Sequence, residues 1–189
     1  MKSAVLIIGS PRKGGSTHIL ANEAERGLHD AGVETEVVFL NDLAIRGCQA
    51  CYHCKKHDLA ECAIQDDMQR IHRLMQSSDG IVVASPIYFG DVTAQTKLWL
   101  DRLFPFIGMD LSPKLLGSKQ ASFIFTQNQP DPRLFSRQIG TFMQMVGLTG
   151  LSPRDHLVAY DLDAGTKPPV TEKQEFMDAA YRIGRSLLE

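Results

Sequence analysis

Ala4-Val5-Leu6-Ile7-Ile8-Gly9-Ser10-Pro11-Arg12-Lys13-Gly14-Gly15-Ser16-Thr17, running on to Leu20, is the stretch that decides the fold. Its first five residues are apolar and largely β-branched, which reads as a strand buried on both faces. Beyond the turn the apolar spacing becomes helical, with Leu20, Ala24, Leu28 and Ala31 on one face and Gly32 as the stop. A strand, a Gly/Ser/Thr turn and a helix start bring free backbone N–H groups and the positive end of the helix dipole to one place. That arrangement suits a phosphate.

The spacing also excludes two phosphate loops. Gly9-x4-Gly14 followed by Gly15-Ser16 comes close to the nucleoside-triphosphate loop, but the required lysine is missing at position 15 and Lys13 stands two residues early. An ATPase or GTPase is therefore excluded. The dinucleotide fingerprint G-x-G-x-x-G is absent too, because Ser10 and Pro11 follow Gly9. A loop of hydroxyls and backbone donors remains, suited to a terminal phosphate monoester.

A second signature, Ser85-Pro86-Ile87-Tyr88-Phe89-Gly90, follows the third expected strand, Ile81–Ala84. Together with Gly9-Ser10-Pro11-Arg12 and Ser16-Thr17, it resembles the NADPH-dependent FMN reductase family, and the resemblance covers nearly the whole chain. The resemblance implies an α/β flavodoxin-like fold, FMN as cofactor and NAD(P)H as co-substrate. It assigns the FMN phosphate to Ser10, Pro11, Arg12, Gly14, Ser16 and Thr17. It assigns the isoalloxazine ring to Pro86, Ile87, Tyr88, Phe89 and Gly90. A third loop, Thr126-Gln127-Asn128-Gln129, follows the fourth expected strand, Ala121–Phe125. The family sets this loop against the flavin, so Thr126 and Gln127 join the expected site, although Asn128 and Gln129 depart from the glycine often found there.

The remaining pattern alternates strand and helix. Thr35–Leu40 reads as the second strand and Leu157–Tyr160 as the fifth. Helices are expected from Asp66 with a capping box to Gln69, through Leu98–Leu103, from Asp131-Pro132, and from Thr171 with a capping box to Gln174. Five alternations give a doubly wound parallel sheet of five strands in the order 2-1-3-4-5, in one domain spanning 1–189.

The 20 basic residues against 22 acidic ones give a net charge of −2. There is no basic face for nucleic acid and no polybasic run for a membrane surface. The first apolar run is too short for a signal peptide or a membrane span, so a cytoplasmic protein with reduced cysteines is expected. The apolar segment Phe104–Leu116, broken by prolines and glycine, is expected to be a lid or a contact between subunits. The family tends to form dimers or tetramers.

Residues 41–65 show neither period and hold all four cysteines, Cys48-x2-Cys51-x2-Cys54-x7-Cys62. Thiolates three residues apart, closed by a distal fourth, can wrap an iron–sulfur cluster. The motif resembles that of the iron–sulfur flavoproteins, which implies a four-iron (4Fe–4S) cluster. Zinc, with His53 or His57 as further ligands, and plain loop packing stay open. His53 and His57 are expected to be exposed loop residues.

No acid–base pair is expected to be catalytic, because the cofactor would carry the chemistry. The leading expectation is an FMN-dependent oxidoreductase passing electrons from NAD(P)H to an acceptor. A single-electron carrier between redox proteins and a zinc-stapled binding module are the alternatives.

Overall fold

Along the first strand, β1 (Ser3–Ile8), neighbouring side chains point to opposite faces, and both faces are covered. Val5 and Ile7 enter one core, while Ala4, Leu6 and Ile8 enter the other. This is why the strand is an unbroken apolar run. The architecture is that of a computed structural model, which describes residues 1–56, 61–162 and 165–189. β1 lies between β2 (Glu34–Phe39) and β3 (Gly80–Tyr88), followed by β5 (Lys119–Thr126) and β6 (Leu151–Ala159), all parallel. The long strands therefore stand in the expected order. A two-residue strand, β4 (Asp91–Val92), pairs antiparallel with the end of β3 and was not anticipated.

Helices α1 (Ser16–Asp30) and α6 (Gln174–Ser186) bury Leu20, Ala24, Leu28, Phe176, Ala180 and Ile183 on one face of the sheet. On the other face, α3 (Met68–Ser77), α4 (Ala94–Asp101) and α5 (Ser136–Gly147) contribute Ile71, Met75, Trp99, Ile139, Phe142 and Val146. Between β2 and α3 lie a 3-10 turn at Leu40–Asp42 and a one-turn helix, α2 (His53–Lys56). No helix among the described residues is long and apolar enough to cross a membrane.

Several local expectations are corrected. The second signature is not a loop as a whole: Ser85 to Tyr88 continue β3, and Pro86 pairs with Thr126 across the sheet. Neither capping box forms. Asp66 accepts the Met68 N–H at 3.1 Å, but the Gln69 amide donates to the carbonyls of Cys62 and Ile64, both at 2.8 Å. At the last helix Gln174 donates to Asp178, and a 3-10 turn at Val170–Glu172 precedes it. α5 begins four residues after Pro132, because Asp131 first forms turns with Arg133 and Leu134. His53 is half-buried in α2 rather than exposed in a loop, and His57 lies outside the described residues.

Candidate functional site

Gly9 ends β1 where the chain passes closest to α4. A Cβ there would stand 1.8 Å from Thr96 Oγ1, so only glycine fits. Its N–H donates to Ala84 O at 2.8 Å, and its carbonyl accepts from Thr93 Oγ1 at 2.7 Å. Thr93 also caps α4, accepting from the Thr96 N–H, and Thr96 Oγ1 donates to Ser85 Oγ at 3.1 Å. These buried hydroxyls lock the first and second signatures together from below.

The first loop is shaped by its own side chains. Buried Ser10 accepts the Arg12 N–H at 3.2 Å, and the Gly14 N–H donates to His18 Nδ1 at 2.8 Å. Lys13 is drawn away to Asp42 at 2.6 Å. Thr17 is buried and its hydroxyl meets that of Thr126 at 2.7 Å, tying α1 to the end of β5. Gly15, just before α1, gives it no side-chain cap, and its first turn holds no acidic residue. Its leading N–H groups and positive dipole end are thereby left for an anion.

Beyond Ile87, the Tyr88-Phe89-Gly90-Asp91 turn folds β4 back on β3. Phe89 and Gly90 both have positive φ, 52° and 89°, as a two-residue hairpin turn requires. Phe89 is fully exposed at its tip, and Tyr88 is 44% exposed. The third loop starts inside β5, with Thr126 still in the strand. Gln127 is buried; its amide donates to Asp131 O at 2.7 Å, but its Oε1 has no hydrogen-bond partner.

A cavity of about 630 Å³ opens among these segments, at the carboxyl ends of the parallel strands. Arg12, Ser16, Pro86, Ile87, Tyr88, Phe89, Thr126 and Gln127 line it, as do Asn128 and Leu162, which the sequence had not placed among the site residues. Leu162 follows β6, and its N–H donates to Gln127 O at 3.1 Å. The signal for it was positional: the fifth parallel strand must end at the same crevice. Ser10, Pro11, Gly14, Thr17 and Gly90 are not among the lining residues; Ser10 and Thr17 act behind the surface as just described. The volume lies within the usual range of small-molecule sites, and Arg12, Ser16 and Thr126 give its wall polar groups. The uncapped α1 asks for an anion. These are the requirements of a flavin mononucleotide, and the residues present fit it.

The cysteines form a second centre. Cys48, Cys51, Cys54 and Cys62 line one small pocket of about 20 Å³, with Tyr52, Arg102, Phe104 and Pro105 also in its wall. Ala50 and Tyr52, on either side of Cys51, both take left-handed backbone at φ 50° and 56°. Non-glycine residues there cost on the order of 1–2 kcal/mol each, so tertiary contacts hold the loop in its curl. The loop docks on the 3-10 turn Phe104–Phe106. Tyr52 packs edge-on to Phe104, and Lys55 donates to the carbonyls of Phe104 and Ile107. This bears on the start of Phe104–Leu116, expected to be a lid or a contact between subunits. Its first part is core and docking platform, with Phe106 buried, while Met109, Leu111 and Leu116 are exposed.

Burial pushes the Cys54 thiol up, a shift that neighbouring Lys55 opposes. Among the described residues, no three His, Cys, Asp or Glu side chains stand ready-made at ligating distances. The pocket holds little more than a water molecule, so the thiols must spread to take a metal centre. The donor set, four sulfurs around one pocket, fits a thiolate-ligated cluster.

An iron-sulfur flavoprotein of Methanocaldococcus jannaschii is 41% identical over 113 residues, 59% of this chain and 58% of that protein. One from Methanosarcina thermophila is 40% identical over 96 residues, 51% of this chain and 49% of its own. The chain thus matches about half the length of these curated relatives. An NAD(P)H:quinone oxidoreductase from Methanothermobacter marburgensis superposes with a TM-score of 0.78 over 98% of both chains, at 17% identity. That likeness establishes the flavodoxin-like fold. Residues 1–131, which carry both signatures, all four cysteines and the third loop, match the family model described as NADPH-dependent FMN reductase, and the chain belongs to that family.

Proposed function

We propose that this chain is a single FMN-binding domain that acts as an oxidoreductase, taking electrons from NAD(P)H and passing them to an acceptor. The observation that carries the reading is the cavity at the strand ends, where the uncapped start of α1, through Ser16, and the end of β3, through Pro86, Ile87 and Tyr88, line one space. Bound FMN would supply the redox chemistry, accepting an electron pair and releasing it in one or two steps. Arg12 and Ser16, with the first N–H groups of α1, hold the phosphate; Ser10, Pro11, Gly14 and Thr17 shape and anchor that loop. Pro86, Ile87, Tyr88 and Phe89 form the edge for the ring, Gly90 turns the hairpin behind them, and Thr126 and Gln127 close its polar rim. Cys48, Cys51, Cys54 and Cys62 hold a four-iron cluster that accepts single electrons.

Four free thiols suit a reducing cytoplasm. Exposed Phe89, Met109, Leu111, Leu116 and Leu134 supply apolar surface for a homodimer or homotetramer. A second reading, an electron carrier without nicotinamide turnover, is favoured by the shared cysteine pocket. Anaerobic purification, chromatography of the extracted flavin and addition of NADPH or NADH test both. Extracted FMN that bleaches with either nicotinamide is the expected result. FMN that bleaches only with a reduced protein donor favours the carrier, and recovery of FAD or no flavin after reconstitution contradicts both.

A further inference from the structure

One buried side chain clasps the base of the cysteine loop. Arg102, directly after α4, is 1% exposed. Its Nη1 donates to Asp66 Oδ2 and to Arg46 O, both at 2.7 Å. Its Nη2 donates to Asp66 Oδ1 at 3.0 Å and to Ile64 O at 3.4 Å. Arg46 precedes Cys48 and Ile64 follows Cys62, so these bonds join the two ends of the loop. A guanidinium has five N–H donors, and the fifth, on Nε, is buried without a partner. An unmade hydrogen bond from a buried charged group is costly, so a native structure that keeps one calls for an explanation.

The environment supplies one. Arg102 lines the pocket that the four cysteines share, and Asp66 does not, so the positive end of the ion pair is the end presented to the sulfurs. Asp101, the carboxylate in the same wall, is paired with Lys97 at 2.6 Å and half exposed. Burial works against the charge on Arg102. The Asp66 carboxylate, bonded to it through both oxygens, holds the charge in place.

We propose that Arg102 tunes the cysteine site, giving its spare N–H and its buried positive charge to the sulfur ligands of the cluster and so raising the cluster's reduction potential. The inference rests on the reading that the cysteines hold a cluster. Reduction adds one negative charge to the cluster, and hydrogen bonds to sulfur with a nearby cation favour that state. Arg102 touches neither flavin nor substrate; it is a positioning residue.

Arg102→Lys separates tuning from clasping. Lysine keeps a cation against Asp66, but its three donors are all needed by Asp66, Arg46 O and Ile64 O. Wild type, Arg102→Lys and Arg102→Gln are reconstituted anaerobically with iron and sulfide, assayed for iron and titrated with dithionite. Electron paramagnetic resonance follows the cluster, and absorbance follows the flavin. The expected result for Arg102→Lys is full iron loading and a tenfold rise in the oxidised-to-reduced ratio at fixed potential. For one electron that is a midpoint about 59 mV lower. Arg102→Gln, if it folds, falls further, and the flavin midpoint stays put. A fully loaded Arg102→Lys with the wild-type potential overturns the inference and leaves the cluster reading standing. Folded Arg102→Lys that loses its iron also overturns it, since the residue is then a clasp only. Iron-free wild type after reconstitution overturns both.

Discussion

His72 stacks behind the cysteine clasp as a buried imidazole that must stay neutral. Its Nε2–H donates to Arg102 O at 2.7 Å, its ring meets Phe106 edge-on, and its Nδ1 has no partner. Burial lowers its pKa from 6.5 to about 4, with the Arg102 charge adding to the fall while the Arg102 carbonyl and the Asp66 charge oppose it. The unfolded chain therefore takes up a proton below pH 6.5 that the folded chain declines until about pH 4. Stability from this residue is complete above pH 6.5 and drains away as the pH falls through that window. The loss amounts to about 2.5 kcal/mol by pH 4.5. His72→Gln keeps a donor for Arg102 O but does not titrate. In urea unfolding at pH 7 and pH 4.5, the variant is expected to lose about 2.5 kcal/mol less than wild type on acidification. Equal acid losses in the two proteins would contradict this account of His72.

At the scale of elements, legibility followed the period of the side chains. β1, the turn and α1 could be read because an apolar run gives way to 3.6-residue spacing at a glycine-rich joint. The β3–β4 hairpin could not. β4 has two residues, too few for a pattern, and its turn uses Phe89-Gly90 where Asn-Gly is the common signal. The caps misled for a related reason: Gln69 has better partners in the carbonyls of Cys62 and Ile64 than in its own helix start. An exposed aromatic at φ 52° sits poorly at this hairpin tip by local preference, so its value must lie in the site. Phe89→Asn is expected to raise the flavin-free protein's stability by about 1 kcal/mol and to weaken FMN binding. Thermal unfolding and flavin titration measure the two effects. A variant that is less stable and binds FMN as tightly as wild type would refute that division.

At the scale of the whole molecule, α4 joins the two centres. Thr93 at its N-terminus fastens Gly9 beneath the first loop, and Arg102 just past its C-terminus closes the cysteine loop. Eight residues of helix separate them by on the order of 12 Å. None of this was legible beforehand. Arg102 lies at a helix end, where a surface cation is the ordinary case, and its partner Asp66 is 36 residues away. Within one chain the cysteine loop rests on Phe104 and is clasped by Arg102 just past the end of α4. Among the described residues, the two pockets nevertheless share no lining side chain. Cys54→Ser is expected to remove iron and sulfide while FMN affinity stays within twofold, with one-electron transfer to a protein acceptor falling and bleaching by NAD(P)H retained. Loss of FMN together with iron would show that the centres fold as one unit.

In the proposed reading, the strand-end cavity holds FMN by its phosphate at the start of α1. Titrating the flavin-free chain with FMN and with riboflavin, followed by quenching of flavin fluorescence, addresses it most directly. A hydrogen bond to a charged group is worth about 1.5–3 kcal/mol, so wild type is expected to bind one FMN per chain at least about tenfold more tightly than riboflavin. Ser16→Ala is expected to erase much of that difference. Equal affinity for the two flavins in wild type would contradict the claim.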